Sequence, residues 1–198
     1  MKTYLTFLFL IASMIMLGQD RPELFTYNPI DIELKSGGTL NGIGKLNLIG
    51  ELVYRKNEDA DKRKMETGEV SSFKISKDSI SRNFFYKNID GPNTIGNPFV
   101  LELIETGKIN LYKREETRSV SMGPGMGSMP QHFVLYYIGN PGEDNAEYVK
   151  ANTYSRKFRK NAARRFPDCP VLVKKIQDKG FERYSIQEIV KFYNSDCK

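Results

Sequence analysis

The chain has 198 residues, with 30 Lys or Arg against 24 Asp or Glu, a single His and a formal net charge of +6. Two cysteines are too few for a disulfide scaffold, and the length is enough to bury one real apolar core. Neither an H-E-x-x-H helix, a nucleophile elbow nor a G-x-x-x-x-G-K-[ST] phosphate loop occurs, so the common zinc-protease, serine-hydrolase and nucleotide-binding signatures are excluded.

Lys2 precedes an apolar run over residues 4–17 that closes in Gly18-Gln19-Asp20, the basic, apolar and polar order of a secretory signal peptide. The run is shorter than the roughly 20 residues of a membrane-spanning helix, so cleavage rather than anchoring is expected. Gly18 suits the residue before the cut, although Met16 is larger than the residue usually found two positions earlier. The expected division is a signal peptide over 1–18, a β-rich domain over 19–150 and a basic helical module over 151–198. No cysteine near the junction would carry a lipid, and no transmembrane segment is expected after cleavage. Residues 20–149 hold 16 basic and 19 acidic side chains, net −3, whereas residues 150–198 hold 13 and 5, net +8.

Ile30, Ile32 and Leu34 alternate with Asp31, Glu33 and Lys35, the period-two pattern of a half-buried strand, and Ser36-Gly37-Gly38 supplies a turn. A second strand over 40–49 carries Gly42 and Gly44, which predict a bulge or sharp bend before 51–55 continues. Residues 57–64 read as a solvated charged loop. Further strands are expected at 69–76 and 80–87, then a break over 91–98. Residues 99–104 and 109–112 form a hairpin around Glu105-Thr106-Gly107-Lys108, followed by strands at 132–138 and 146–150. About eight short strands with tight turns predict an α+β chain, its antiparallel sheet either curled as a small barrel or folded into two layers.

In the tail, Phe158, Ala162 and Phe166 recur every four residues over 155–166, a helix that Pro167 ends. Pro170 opens a second helix with Leu172, Val173 and Ile176 as its stripe, and Gly180 stands just past its end. Ser185 and Glu188 have the spacing of a capping box ahead of Ile186, Ile189, Val190 and Tyr193. An antiparallel pair of these helices brings Cys169 and Cys197 together, so one disulfide is expected in the oxidising compartment that a leader implies.

The string Arg165-Phe166-Pro167-Asp168-Cys169-Pro170 with Leu172-Val173, then Ile189-Val190 and Tyr193-Asn194, resembles the tail of a group of exported proteins of the Gram-negative bacterial envelope with unknown function. The likeness extends to residues 32–40 and 107–112. It implies a periplasmic or secreted location, with possible attachment to the outer membrane periphery, and supplies no activity and no cofactor.

Candidate chemistry is sparse. Met122, Met126, Met129 and His132 gather in a glycine-rich loop, and thioether and imidazole ligands suit copper(I). Arg156, Lys160 and Arg164 share a helix face that could meet an anionic envelope surface or an acidic protein. Glu102, Glu105, Glu115 and Glu116 flank the hairpin, where the solvent side is their ordinary place. The aromatic pairs at 84–86, 136–137 and 192–193 are either core or the lining of a small apolar or carbohydrate site. Catalysis would require His132 beside a hydroxyl nucleophile, as in an envelope hydrolase. The reading that these features favour is a non-enzymatic interaction module with no cofactor and no nucleic-acid partner.

Overall fold

A computed structural model describes residues 24–197 apart from 48–49, 91–97, 124 and 126. The expected signal peptide and Met126 therefore lie outside the described residues. Strands β1 (Asn28–Leu34), β2 (Thr39–Leu46), β3 (Leu52–Arg55), β4 (Arg63–Met65), β5 (Val70–Lys77), β6 (Ile80–Asp90), β7 (Phe99–Glu105), β8 (Asn110–Ser121), β9 (Ser128–Gly139) and β10 (Asn145–Val149) form one sheet. Helices α1 (Arg156–Lys160), α2 (Ala162–Arg165), α3 (Pro170–Gln177) and α4 (Ile186–Asp196) follow. The protein is α+β, with a large, mostly antiparallel sheet and a short helical C-terminal region.

The sheet order is β10-β9-β8-β7-β6-β5-β1-β2-β3-β4, and a parallel pairing of β10 with the end of β6, Asn145 opposite Asn88, closes β6–β10 into a ring. The same edge of β6 serves two neighbours. Its first half pairs with β5 from Lys77–Ile80 to Ser72–Phe85, and its last residues take β10. Closure leaves no long edge on this side, the usual way a small sheet avoids open backbone groups.

Because side chains alternate across a strand, β6 presents one core on each face. Phe84 and Tyr86 join Ile30, Ile32, Leu52, Phe73 and Ile75 in the first, where Phe73 stacks on Phe84 at 5.1 Å between ring centroids. Phe85 and Ile89 face the second, inside the ring, with Leu101, Tyr112, Tyr137 and Ala146. The sheet thus curls one way around its N-terminal half and the other way around its C-terminal half. Gly44 permits the first curl: a Cβ there would lie 2.9 Å from two carbons of Ile30. Gly42 answers a different neighbour, since a Cβ there would lie 2.2 Å from the Arg55 carbonyl oxygen. The aromatic pairs of the sequence are core on both faces.

An ammonium group lies in the ring interior. Lys87 is buried, its Nζ donating to the Glu143 carbonyl and lying 5.6 and 5.4 Å from the Phe85 and Tyr112 ring centroids. Burial pushes its pKa down, with Asp144 and Glu143 opposing that shift.

The helices cover the outer face of the ring. Phe158, Ala162, Phe166, Leu172, Ile186, Ile189 and Val190, each 1% exposed or less, share a cluster with Ile109, Leu111, Ile138 and Val149 of the sheet side. Burial of each large side chain contributes about 1.5–3 kcal/mol relative to exposure. The expected single helix over 155–166 is interrupted at Asn161, between α1 and α2, while Ser155 caps α1 by accepting from the Phe158 N–H. The expected capping box is also corrected: Ser185 Oγ donates to the Glu182 carbonyl, 2.7 Å away, and makes no cap hydrogen bond to α4.

Candidate functional site: the β8–β9 ribbon

The base of the β8–β9 hairpin is held from every side. Cys169 and Cys197 form the expected disulfide, buried in the cluster shared with Ile109, Leu111 and Ile138. Asn194 reaches from α4 into the β7–β8 turn, where it accepts from the Ile109 N–H at 3.1 Å and donates to the Ile109 and Thr106 carbonyls. Gly107 leaves room for it, since a Cβ there would stand 2.6 Å from Asn194 Nδ2. Tyr193 donates to Asp168, whose other carboxylate oxygen lies 3.1 Å from Lys108 Nζ. Those bonds from Tyr193 and Lys108 hold the Asp168 carboxyl below its ordinary 3.8. Burial, then the same carboxylate, pushes the Tyr193 phenol up to about 12.

The proposed basic face divides. Arg156 and Lys160 are exposed, but Arg164 is 2.6 Å from Glu147 of β10, beside Arg165 at 2.8 Å. Burial raises the Glu147 pKa, and the two guanidinium groups outweigh it, leaving the carboxyl lowered. Arg164 therefore also joins helix to sheet, while its side chain remains 61% exposed.

The carboxylates also differ from expectation. Glu102 lies between Arg82, at 2.6 Å, and Lys113, at 3.2 Å, and its side chain is 14% exposed. Glu105 accepts from Gln187 and pairs with Lys191, tying β7 to α4, while Glu115 and Glu116 pair along β8 with Lys113, Arg114 and Arg118. Each has a cation, and Glu102 is not on a solvent side.

Beyond this base the hairpin continues alone. The β7–β8 register ends at Glu102–Lys113 and the β9–β10 register at Tyr136–Val149, whereas β8 and β9 stay paired to Ser121–Ser128. Among the described residues, 114–121 and 128–135 pair only with each other. The sequence predicts a glycine-rich loop over 122–132 and a strand only from His132; β8 instead runs on to Ser121 and β9 begins at Ser128, so a two-stranded ribbon carries a shorter tip. Val120, Met122, Met129 and Val134 are 38, 51, 55 and 44% exposed. No Asp, Glu, Lys or Arg occurs from Ser119 to Gly142, in a chain that is 27% charged. That charge gap marks the distal part of the ribbon in the sequence, although residues 114–118 of the same ribbon are mostly charged.

His132 stands opposite Thr117 on the ribbon, Nδ1 3.2 Å from Oγ1, and both are exposed. Among the described residues, no carboxylate is among its hydrogen-bond or ion-pair partners. Met129 and His132 are three residues apart on β9, so the strand alternation sends their side chains to opposite faces. This separates His132 from Met129, one of the three methionines it was grouped with as a copper(I) set. Among the described residues, no group of three His, Cys, Asp or Glu has the geometry to hold a metal ion.

No family model, curated protein or solved structure matches the chain.

Proposed function

We propose that the chain is an exported, non-enzymatic binding module of the cell envelope whose β8–β9 ribbon is its docking element. The carrying observation is a regular, exposed strand pair whose distal part, from Ser119 on, carries no Asp, Glu, Lys or Arg, projecting from a base that two layers hold fixed. Exposed apolar residues scattered singly need no explanation, but Val120, Met122 and Met129 cluster at one end of one element. A rigid scaffold that presents an adaptable methionine-bearing tip suits recognition. Export draws support from the leader-like start and from the buried disulfide, which persists in oxidising compartments. Among the described residues no helix is long and apolar enough to cross a membrane.

The test is crosslinking in intact cells followed by mass spectrometry, comparing the natural chain with one in which residues 119–130 are replaced by Asn-Gly. That turn closes the ladder at the Arg118–Gln131 pair and leaves the base intact. Crosslinks from residues near the ribbon should disappear in the shortened chain. An unchanged crosslink pattern would overturn the assignment.

A further inference from the structure

The ribbon's hydrogen-bond parity fixes which backbone groups face outward. Met122 N–H donates to the Gly127 carbonyl at 3.0 Å, so the even-numbered residues of β8 make the bonds within the hairpin and the odd-numbered ones point away. On β9 the outward set includes Pro130, which has no N–H to offer and blocks an added strand. On β8 it includes Thr117, Ser119 and Ser121, whose outward N–H and C=O groups pair with no strand among the described residues. The β8 edge is therefore the one open to strand addition. A lipid interior suits it poorly, because open backbone edges go unsatisfied in hydrocarbon.

We propose that the β8 edge pairs antiparallel with the same edge of a second copy, centred on Thr117, joining two ribbons into one four-stranded sheet. The inference rests on the ribbon being the docking element. Charge chooses the copy and the register. Centring on Thr117 sets Glu116 opposite Arg118 of the second copy, and the two-fold repeats that pair, as an isologous contact must. Centring one residue later would set Arg118 against itself, and like charges directly opposite are destabilising. Glu116 and Arg118 lie on the same face of the ribbon, within reach of one another along the strand. Thr117, Ser119 and Ser121 are small and hydroxylated, so they leave room for a close backbone neighbour.

Sedimentation of the purified chain tests this. The natural chain should dimerise. Ser119→Pro, which removes an outward donor at a position that makes no bond within the hairpin, should abolish dimerisation with the far-ultraviolet spectrum unchanged. Arg118→Glu and Glu116→Arg should each weaken it about tenfold, in line with two lost cross-strand pairs. An equimolar mixture of those two variants should recover natural affinity, because each Glu then faces an Arg on the other chain. Recovery in the mixture is specific to contact between chains, since neither variant regains its own Glu116–Arg118 pair. A chain that stays monomeric up to about 1 mM, where association is worth only about 4 kcal/mol, overturns the proposal. So does a dimer indifferent to Ser119→Pro, or one whose charge variants fail to complement each other. A monomer in solution with ribbon-dependent crosslinks in cells would overturn self-pairing alone. Ribbon-independent crosslinks would remove the docking role itself.

Discussion

The base and the distal half of the β8–β9 hairpin belong to one ladder of paired residues, from Asn110–Gly139 to Ser121–Ser128, yet they are held in different ways. At the base, Leu111 and Ile138 lie under helices while Tyr112 and Tyr137 fill the ring, so both faces of the ladder are buried. Toward the tip, both faces meet solvent and only the ladder and local pairs such as Thr117–His132 and Arg118–Phe133 remain. An isolated two-stranded hairpin is marginally stable in water. The comparison teaches that the buried base supports a ribbon that could not stand alone, and it predicts where substitutions will be felt.

The largest effect should come from the bridge that clamps the helices over the base. Replacing both Cys169 and Cys197 by Ala should lower unfolding free energy by about 3–4 kcal/mol in the chain-entropy account of a 28-residue separation. Urea denaturation measures it, and a loss below about 1 kcal/mol would show that the clamp rests on packing alone.

Next, Asn194→Ala leaves the Ile109 N–H without its side-chain partner and should cost about 1–3 kcal/mol. Hydrogen exchange should quicken at Ile109 and leave the amides of 115–121 as they were. Equal quickening at both ends would break the distinction between base and ribbon.

A smaller, pH-restricted effect belongs to Asp168. Its folded pKa is lowered, so its contribution is present above the ordinary carboxylate value of 3.8 and is lost as pH falls through the folded value. For Tyr193 the sign reverses: the phenol is raised from 10.0 to about 12, so its contribution is complete below pH 10 and fades between 10 and about 12. Asp168→Asn should remove its own acid limb and make the alkaline limb shallower without abolishing it, because burial, the larger cause of the raised Tyr193 pKa, remains. Unchanged acid and alkaline limbs would show that this pair does not support the base.

The smallest effect is expected at the tip itself, where Val120→Ser and Met129→Ser should change stability by no more than about 0.5 kcal/mol. A loss of more than 1 kcal/mol in thermal unfolding would mean that the tip is packed against the body.

The same contrast explains what the sequence disclosed. The alternation at Ile30–Ile32–Leu34, the hairpin around Gly107 and the four-residue spacing of Phe158, Ala162 and Phe166 were legible because each element buries apolar side chains in a local pattern. The ribbon was not, because with neither face buried it lacks the alternation that marks a strand, and its glycines and prolines read as loop chemistry. Strand β4 escaped for a related reason: Arg63 and Lys64 belong to a charged run, and only Met65 is buried. Ring closure was illegible too, since a parallel pairing of residues 88–90 with 145–147 leaves no local pattern. At the tail, Cys169–Cys197 followed from helix geometry, but the commitment of Arg164 to Glu147 required knowing where β10 runs.

Strand β6 carries a consequence for how the chain reaches this state. Its first face can be covered as soon as β1–β5 have been made, because every strand of that curl precedes it. Its second face waits for β10, more than fifty residues later, and until then Phe85 and Ile89 have no ring to enter. An N-terminal curl that forms during synthesis or translocation would therefore display an apolar stripe, the kind of exposed surface on which incomplete chains associate. The parallel β10 pairing is the step that removes it, so shortening β10 should raise aggregation during refolding more than it lowers the final stability.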